Sequence, residues 1–257
     1  ALNSDVLVNI DLNQVFHLHN TAEPNITVVY KKLPKEPISD VNSILEIDES
    51  DKVLSHELFQ GGDKEAYNMS TDIFVVDTPF LIAKLEEEAA KEEPRKLRYV
   101  LRDLAVAENA FAYEHTGYLS NIHSVKSYFD ANLDMLESQK FYSLFAPNQK
   151  VYTKVKNEEP TYYSDSSEVK LSQFASGSIV RGKVENSVIS RNVDLSEGSS
   201  VSHSILFPRV KVAKGATVEY AIVDKGVEIA EGVTVRGTEN NPVVIKKGSV
   251  VTEDIVR

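Results

Sequence analysis

Three stretches set 17 residues apart decide the fold: Val184-Glu185-Asn186-Ser187-Val188-Ile189, Val201-Ser202-His203-Ser204-Ile205-Leu206 and Val218-Glu219-Tyr220-Ala221-Ile222-Val223. A second pattern interleaves with them, an apolar residue three places before a glycine. It occurs at Phe174–Gly177, Leu195–Gly198, Val212–Gly215, Ile229–Gly232 and Ile245–Gly248, and the last four are spaced by 17, 17 and 16 residues. A fixed period with internal steps of about six residues marks a parallel β-helix built from hexapeptide units. Each short strand points one apolar residue into a narrow prism, and glycine serves the tight corners where φ is positive. Stacked coils bury a continuous core that no single coil could bury. Val and Ile dominate and helical periodicity is absent, as strands require.

Working outward, the preceding part has a different texture. Val6–Ile10 reads as a strand, Asp11–His19 as a helix and Ile26–Tyr30 as a second strand. Residues 43–57 hold two short strands around an acidic turn, and Ile73–Val76 is a buried strand. Thr78-Pro79 supplies an N-cap and a first-turn proline for a helix through about Glu93. A further helix follows over Lys96–Ala107, then a strand at Phe111–Tyr113. Val125, Tyr128, Phe129, Leu133 and Leu136 share one helical face. Alternating strands and helices predict an α/β domain with a largely parallel sheet. The expected organisation is an α/β domain over 1–140, a polar linker over 141–168 and a β-helix over 169–257.

The 257 residues carry 28 Lys+Arg against 39 Asp+Glu, a formal charge of −11. Residues 1–150 hold 14 and 25, and residues 151–257 hold 14 and 14, so the whole excess lies in the first part. Such a surface repels phosphate backbones, which argues against nucleic acid as a partner. No apolar run approaches the about 18 residues of a membrane span, and no membrane partner is expected. The absence of cysteine excludes disulfides, thiolate metal sites and a cysteine nucleophile, and fits the cytoplasm.

Few residues announce chemistry. There is no Gly-rich phosphate loop, and Gly61-Gly62 reads as a turn. His17 and His19 do not share a helical face. The run Glu86-Glu87-Glu88 with Glu92-Glu93 reads as a solvated helix face. Asp5 stands at the start of the first strand, as a turn residue or as a metal ligand. His203 lies in a slot held by Asn186 and Tyr220 in neighbouring coils, which reads as a surface position.

Taken together, these segments resemble the glucose-1-phosphate adenylyltransferase (ADP-glucose pyrophosphorylase) family. Leu2-Asn3-Ser4-Asp5 with Asn9-Ile10-Asp11 resembles its Leu-Ser-Gly-Asp and Met-Asp segments, and His19 falls where its helix carries a histidine. Ser70 resembles the serine of the Ser-Met-Gly-Ile-Tyr-Val segment that touches the sugar. Gly117-Tyr118-Leu119-Ser120-Asn121-Ile122-His123-Ser124 resembles Gly-Tyr-Trp-x-Asp-Val-Gly-Thr, and Asn240-Asn241-Pro242 is similar to a subgroup's last coil. The resemblance implies a Rossmann-like nucleotidyltransferase α/β domain followed by a left-handed parallel β-helix. It also implies a tetramer, and an enzyme that makes ADP-glucose from ATP and glucose 1-phosphate for glycogen synthesis.

The departures from that pattern matter more. Two aspartates hold Mg²⁺ in active members. Asp5 matches the first, and the neutral Asn121 replaces the second, so Mg²⁺ is not expected in this chain. The Gly-Thr pair becomes His123-Ser124. The lysine that contacts the sugar phosphate has no counterpart near residues 45–66. The glycine of Ser-Met-Gly becomes Asp72, whose charge would repel a phosphate. This set implies a regulatory, catalytically impaired subunit partnered by a catalytic subunit in a hetero- or homo-tetramer, responding to a sugar phosphate or another allosteric metabolite. No catalytic residue is assigned on this reading. The family's opening Gly-rich loop is missing, so the chain is expected to be an N-terminally truncated portion. Two alternatives stand: an active sugar-phosphate nucleotidyltransferase with another second carboxylate, and a hexapeptide acyltransferase using His203 as its base.

Overall fold

The structure is a computed structural model that describes residues 1–2, 4–145 and 149–257. It forms two compact units, Ala1–His123 and Ser124–Arg257. Among the described residues, no helix is long and apolar enough to cross a membrane.

The first unit holds β1 (Val6–Val8), α1 (Leu12–Ala22), β2 (Ile26–Leu33), β3 (Ser43–Ile47), β4 (Val53–Leu58), β5 (Tyr67–Val76), α2 (Thr78–Ala89), α3 (Leu97–Ala107), β6 (Phe111–Glu114) and β7 (Leu119–Asn121). Asp11 caps α1 by accepting the Asn13 N–H at 3.0 Å. The helix begun by Thr78-Pro79 ends at Ala89, short of Glu93. Glu88 ends it: its carboxylate takes hydrogen bonds from the Arg95 backbone N–H, the Arg95 guanidinium and Lys91, and so ties the α2–α3 connection back on itself. Those donors hold the Glu88 carboxyl well below the usual carboxylate range.

The main sheet has the order β4-β3-β5-β2-β6. It is mixed, not largely parallel: β2 and β6 run parallel, and the other pairs are antiparallel. The reason is local. Asp48 accepts the backbone N–H groups of Ser50 and Lys52, folding a tight turn that returns β4 directly beside β3 with no helical crossover. That turn also reaches the far edge. Val53 N–H bonds Ala110 O and Ala112 N–H bonds Asp51 O, so the hairpin tip covers the open side of β6. Ile26, Val28, Leu45, Val53, Phe74, Leu101 and Ala105 fill the core between this sheet and its helices.

The second unit starts with α4 (Val125–Leu133) and α5 (Ser138–Leu144). Phe129 of α4 is buried against Ile205 and Ile222, with Tyr128 and Leu133 beside them. Val125, expected on the same face, is exposed. The rest is a solenoid of three parallel sheets with five, six and six strands, spanning residues 162–256. Its inward ladders follow the register: Val184, Val201, Val218, Val235 and Ile255 on one face, and Val180, Leu195, Val212, Ile229 and Val251 on the next. Phe174, Ile189, Leu206, Val223 and Ile245 form the third.

The glycine pattern therefore mixes two corners. Gly198, Gly215 and Gly232 turn one, whereas Gly177 and Gly248 turn another, shared with Asn192, Arg209 and Gly226. The 16-residue step from Ile229 to Ile245 is a coincidence of spacing. Ile229 stacks on Val251, because residues 237–242 lengthen the last coil. Another coil is shorter than the rest: Ile179 pairs with Asp194, 15 residues on. There Gly182 makes the corner alone, and a Cβ on it would overlap the Ser199 carbonyl and hydroxyl.

A hydroxyl ladder runs beside the apolar ones. Ser187 Oγ donates to Glu185 O and accepts from the Ser204 N–H at 3.1 Å. Ser204 Oγ donates to Ser202 O and accepts from the Ala221 N–H at 3.1 Å. Both serines are fully buried. Ser204→Ala leaves the buried Ala221 N–H without its acceptor. It is expected to lower stability by about 1–3 kcal/mol in chemical denaturation, with the sheet content unchanged by circular dichroism.

Candidate functional site

Two of the residues singled out, Asp5 and Asn121, meet where β1 and β7 pair antiparallel in the first unit. Val6 lies opposite Asn121, and Ile122 N–H bonds the Asp5 carbonyl at 2.8 Å. The backbone thus brings the two positions compared with metal-binding aspartates side by side. Asn3, in the same stretch of sequence, lies outside the described residues.

The two side chains stand in opposite environments. Asp5 is exposed, and Asn121 is 3% exposed. The Asn121 amide nitrogen lies 2.9 Å from Pro37 O, 2.7 Å from Asn42 Oδ1 and 3.2 Å from His123 Nδ1. A backbone carbonyl only accepts, so the group facing Pro37 must be the NH₂ end. Asn42 answers with its own amide, Nδ2 to Asn121 Oδ1 at 3.3 Å, while its Oδ1 also accepts from the N–H and hydroxyl of Ser39. A cation seeks oxygen donors, and here the buried group presents protons. Among the described residues, no group of three or more His, Asp and Glu side chains is placed to hold a metal ion. The residues present do not fit a two-carboxylate Mg²⁺ site.

Ser70 is buried in β5, opposite Tyr30. Its Oγ accepts the Asp72 N–H at 3.3 Å across a bulge formed by Thr71 and Asp72. Asp72 has φ +53°, a left-handed conformation that suits the glycine expected there from the resemblance. Its carboxylate is not free to repel a phosphate. Arg102 grips it at 3.1 and 2.7 Å from α3, and Arg98 approaches at 3.5 Å. With Asp72 and Arg102 both buried, this is a tie between the bulge and the helix. Removing one partner of such a pair costs about 3–5 kcal/mol.

Beside this edge lies a cleft of about 450 Å³ between the β3–β4 hairpin and the Gly61-Gly62 loop, with Phe59 and Tyr67 at its base. Its charged lining is Glu46, Glu57, Asp63 and Lys64, and Lys64 is drawn to Glu46 at 3.4 Å. The arrangement suits a phosphate poorly.

Two histidines are engaged within the fold. His19 is buried between Thr27 Oγ1 at 2.8 Å and Asp77 Oδ1 at 3.3 Å. His203 turns a solenoid corner with φ +44°, as Asn186 and Tyr220 do. It stacks on the Tyr220 ring at 4.7 Å, and its Nε2 meets the Asn186 amide at 3.2 Å. His203 is a rung in a corner ladder: its Nε2 and one ring face are engaged, and its Nδ1 is buried without a hydrogen-bond partner among the described residues, so no carboxylate orients the ring as a general base. Asn42, Arg102 and His56 carry no sequence signal that marks them. Their roles arise from partners 30 to 79 residues away for Arg102 and Asn42, and from burial for His56.

A scan against protein families matches residues 157–256 to the GlmU-like, C-terminal hexapeptide family, which fits a left-handed β-helix. A glucose-1-phosphate adenylyltransferase of Clostridium acetobutylicum is 35% identical over 260 residues, covering 100% of this chain and 67% of its own length. The glycogen biosynthesis protein GlgD of Bacillus subtilis is 34% identical over 197 residues, 77% of this chain and 55% of its own. The glycogen biosynthesis protein GlgD of Geobacillus stearothermophilus is 53% identical over 127 residues, 49% of this chain and 37% of its own. The chain thus spans about half the length of the Bacillus relative it matches.

His56 gives this unit a pH signature. Its Nε2 meets Ser43 Oγ at 2.8 Å, and burial pushes its pKa down from 6.5 to about 4, with the nearby Asp72 opposing and Arg102 assisting. The unfolded chain takes up this proton near pH 6.5 and the folded one does not. The contribution is therefore complete above pH 6.5 and is lost as pH falls toward 4, by roughly 3 kcal/mol. Urea denaturation at pH 7 and pH 4.5 is expected to show a smaller loss for His56→Gln than for the unsubstituted protein.

Proposed function

The chain belongs to the glucose-1-phosphate adenylyltransferase family, and from that premise we propose that it is a regulatory, catalytically impaired subunit serving glycogen biosynthesis. The names of two relatives support the pathway. The observation that carries the rest is the Asn121 amide, buried and turned with its protons toward Pro37 O and Asn42. Nucleotidyl transfer from ATP to a sugar phosphate develops charge on the transferred phosphoryl oxygens, and a bound cation normally neutralises it. This edge offers one exposed carboxylate, Asp5, and a hydrogen-bond donor where a second ligand would be needed. Ser70, read as a sugar contact, is held under the Asp72 bulge. The neighbouring cleft adds three carboxylates and a lysine already paired.

On this reading the chain works as a binding and coupling module. It joins a catalytic subunit in a tetramer and shifts that subunit between states through contacts made better in one state than in the other. An anionic metabolite bound to the assembly would act through the same equilibrium.

The test is pyrophosphate release from ATP, Mg²⁺ and glucose 1-phosphate, with the protein alone and mixed with a catalytically active adenylyltransferase subunit. Silence alone, with an altered rate or metabolite response in the mixture, is the expected result. Substantial turnover by the protein alone would overturn the reading and return the chain to the active enzymes.

A further inference from the structure

We propose that Asn42 and Asn121 form a neutral latch that holds the strap 37–42 on the β1–β7 edge. The inference deepens the non-catalytic reading, but it rests on geometry and its test needs no turnover. The two amides exchange hydrogen bonds in both directions, at 2.7 and 3.3 Å. Pro37 O, at the start of the strap, takes a second bond from Asn121 at 2.9 Å. Ser39 braces Asn42 through its N–H at 3.0 Å and its hydroxyl at 2.9 Å. One β7 side chain therefore grips the strap at both ends.

The strap is also anchored from below. Ile38 shares a small core with Phe59, Tyr67, Met69 and Leu119, and Val6 and Val8 of β1 pack against the same cluster. Asn42 O accepts the Phe59 N–H at 2.8 Å, which links the latch to the base of the cleft. Neither amide titrates, so the pair itself carries no charge, and the titratable group that faces it is His123, whose Nδ1 lies 3.2 Å from the Asn121 nitrogen. The same geometry predicts that Asn121→Asp destabilises the strap. A carboxylate there would set acceptor against acceptor at Pro37 O, and a buried group without its partner destabilises the fold.

Amide hydrogen exchange of the strap, followed residue by residue, tests the latch. In the unsubstituted protein, exchange at residues 38–42 is expected to be the same in Mg²⁺ and in EDTA. Asn42→Ala and Asn121→Ala are each expected to speed it about tenfold, and the double variant no further, because both remove one coupled unit. Multiplying effects in the double variant, or slower exchange in the unsubstituted protein on adding Mg²⁺, would overturn the proposal. Should Asn121→Ala unfold the chain, Asn42→Ala alone carries the same reading, with unchanged strap exchange as the contrary result.

The double variant Asn42→Asp/Asn121→Asp adds a converse. Two carboxyls at this spacing cannot both ionise unaided, but with the Pro37 carbonyl they make a set of hard oxygen donors. Strap exchange is expected to be fast in EDTA at neutral pH and slowed about tenfold or more by millimolar Mn²⁺. Exchange indifferent to Mn²⁺ would contradict the placement of these two side chains against each other and the Pro37 carbonyl.

Discussion

Parallel stacking in strict register is the constraint on which the second unit depends. Val184, Val201, Val218 and Val235 occupy equivalent places in successive coils, so each methyl pair rests on the next. A fully buried valine contributes about 1.5–3 kcal/mol relative to exposure, and the ladders repeat this on three faces. Because the coils must superimpose, every departure in length is expelled to a corner or a loop. Gly182 absorbs a deletion, and residues 237–242 absorb an insertion. The corner residues then accept left-handed φ values, including Asn186, His203 and Tyr220. At that corner the His203 Nε2 meets the Asn186 amide and its ring stacks on Tyr220.

The first unit is held differently, by polar ties between elements distant in sequence. Arg102 fastens α3 to the β5 bulge through Asp72, Glu88 fastens the α2–α3 connection, and Asn121 fastens the strap to β7. Each tie uses a group that sequence alone would assign to surface or to chemistry. These commitments bear on function. A buried side chain whose hydrogen bonds are all used inside the fold has nothing left for a substrate. The unit keeps the outline of a nucleotidyltransferase domain while the groups at its edge serve its own structure.

Much of the fold was legible because packing repeats along the chain. The inward valines of the solenoid, the helix after Thr78-Pro79 and the acidic turn at Asp48 each carry a local signal. The glycine spacing misled at Ile245, since a 16-residue step looks like one coil although the register assigns it to another face. The mixed sheet was hidden because strand direction depends on the hairpin turn and not on strand composition. At the site, the replacement at Asn121 was visible as a change of charge. Its meaning was not, because Asn42 lies 79 residues away and no spacing rule connects them. Asp72 was misread for the same reason: its partner Arg102 is on another element.

The central claim is that the β1–β7 edge is a structural junction and not a metal site. Crystals soaked in Mn²⁺ and measured at the manganese absorption edge would test it most directly. The account expects no anomalous peak beside Asp5 and Asn121, with the Asn42–Asn121 amide pair intact. A peak bonded to the Asp5 carboxylate and to Asn121 Oδ1, with the strap released, would contradict it.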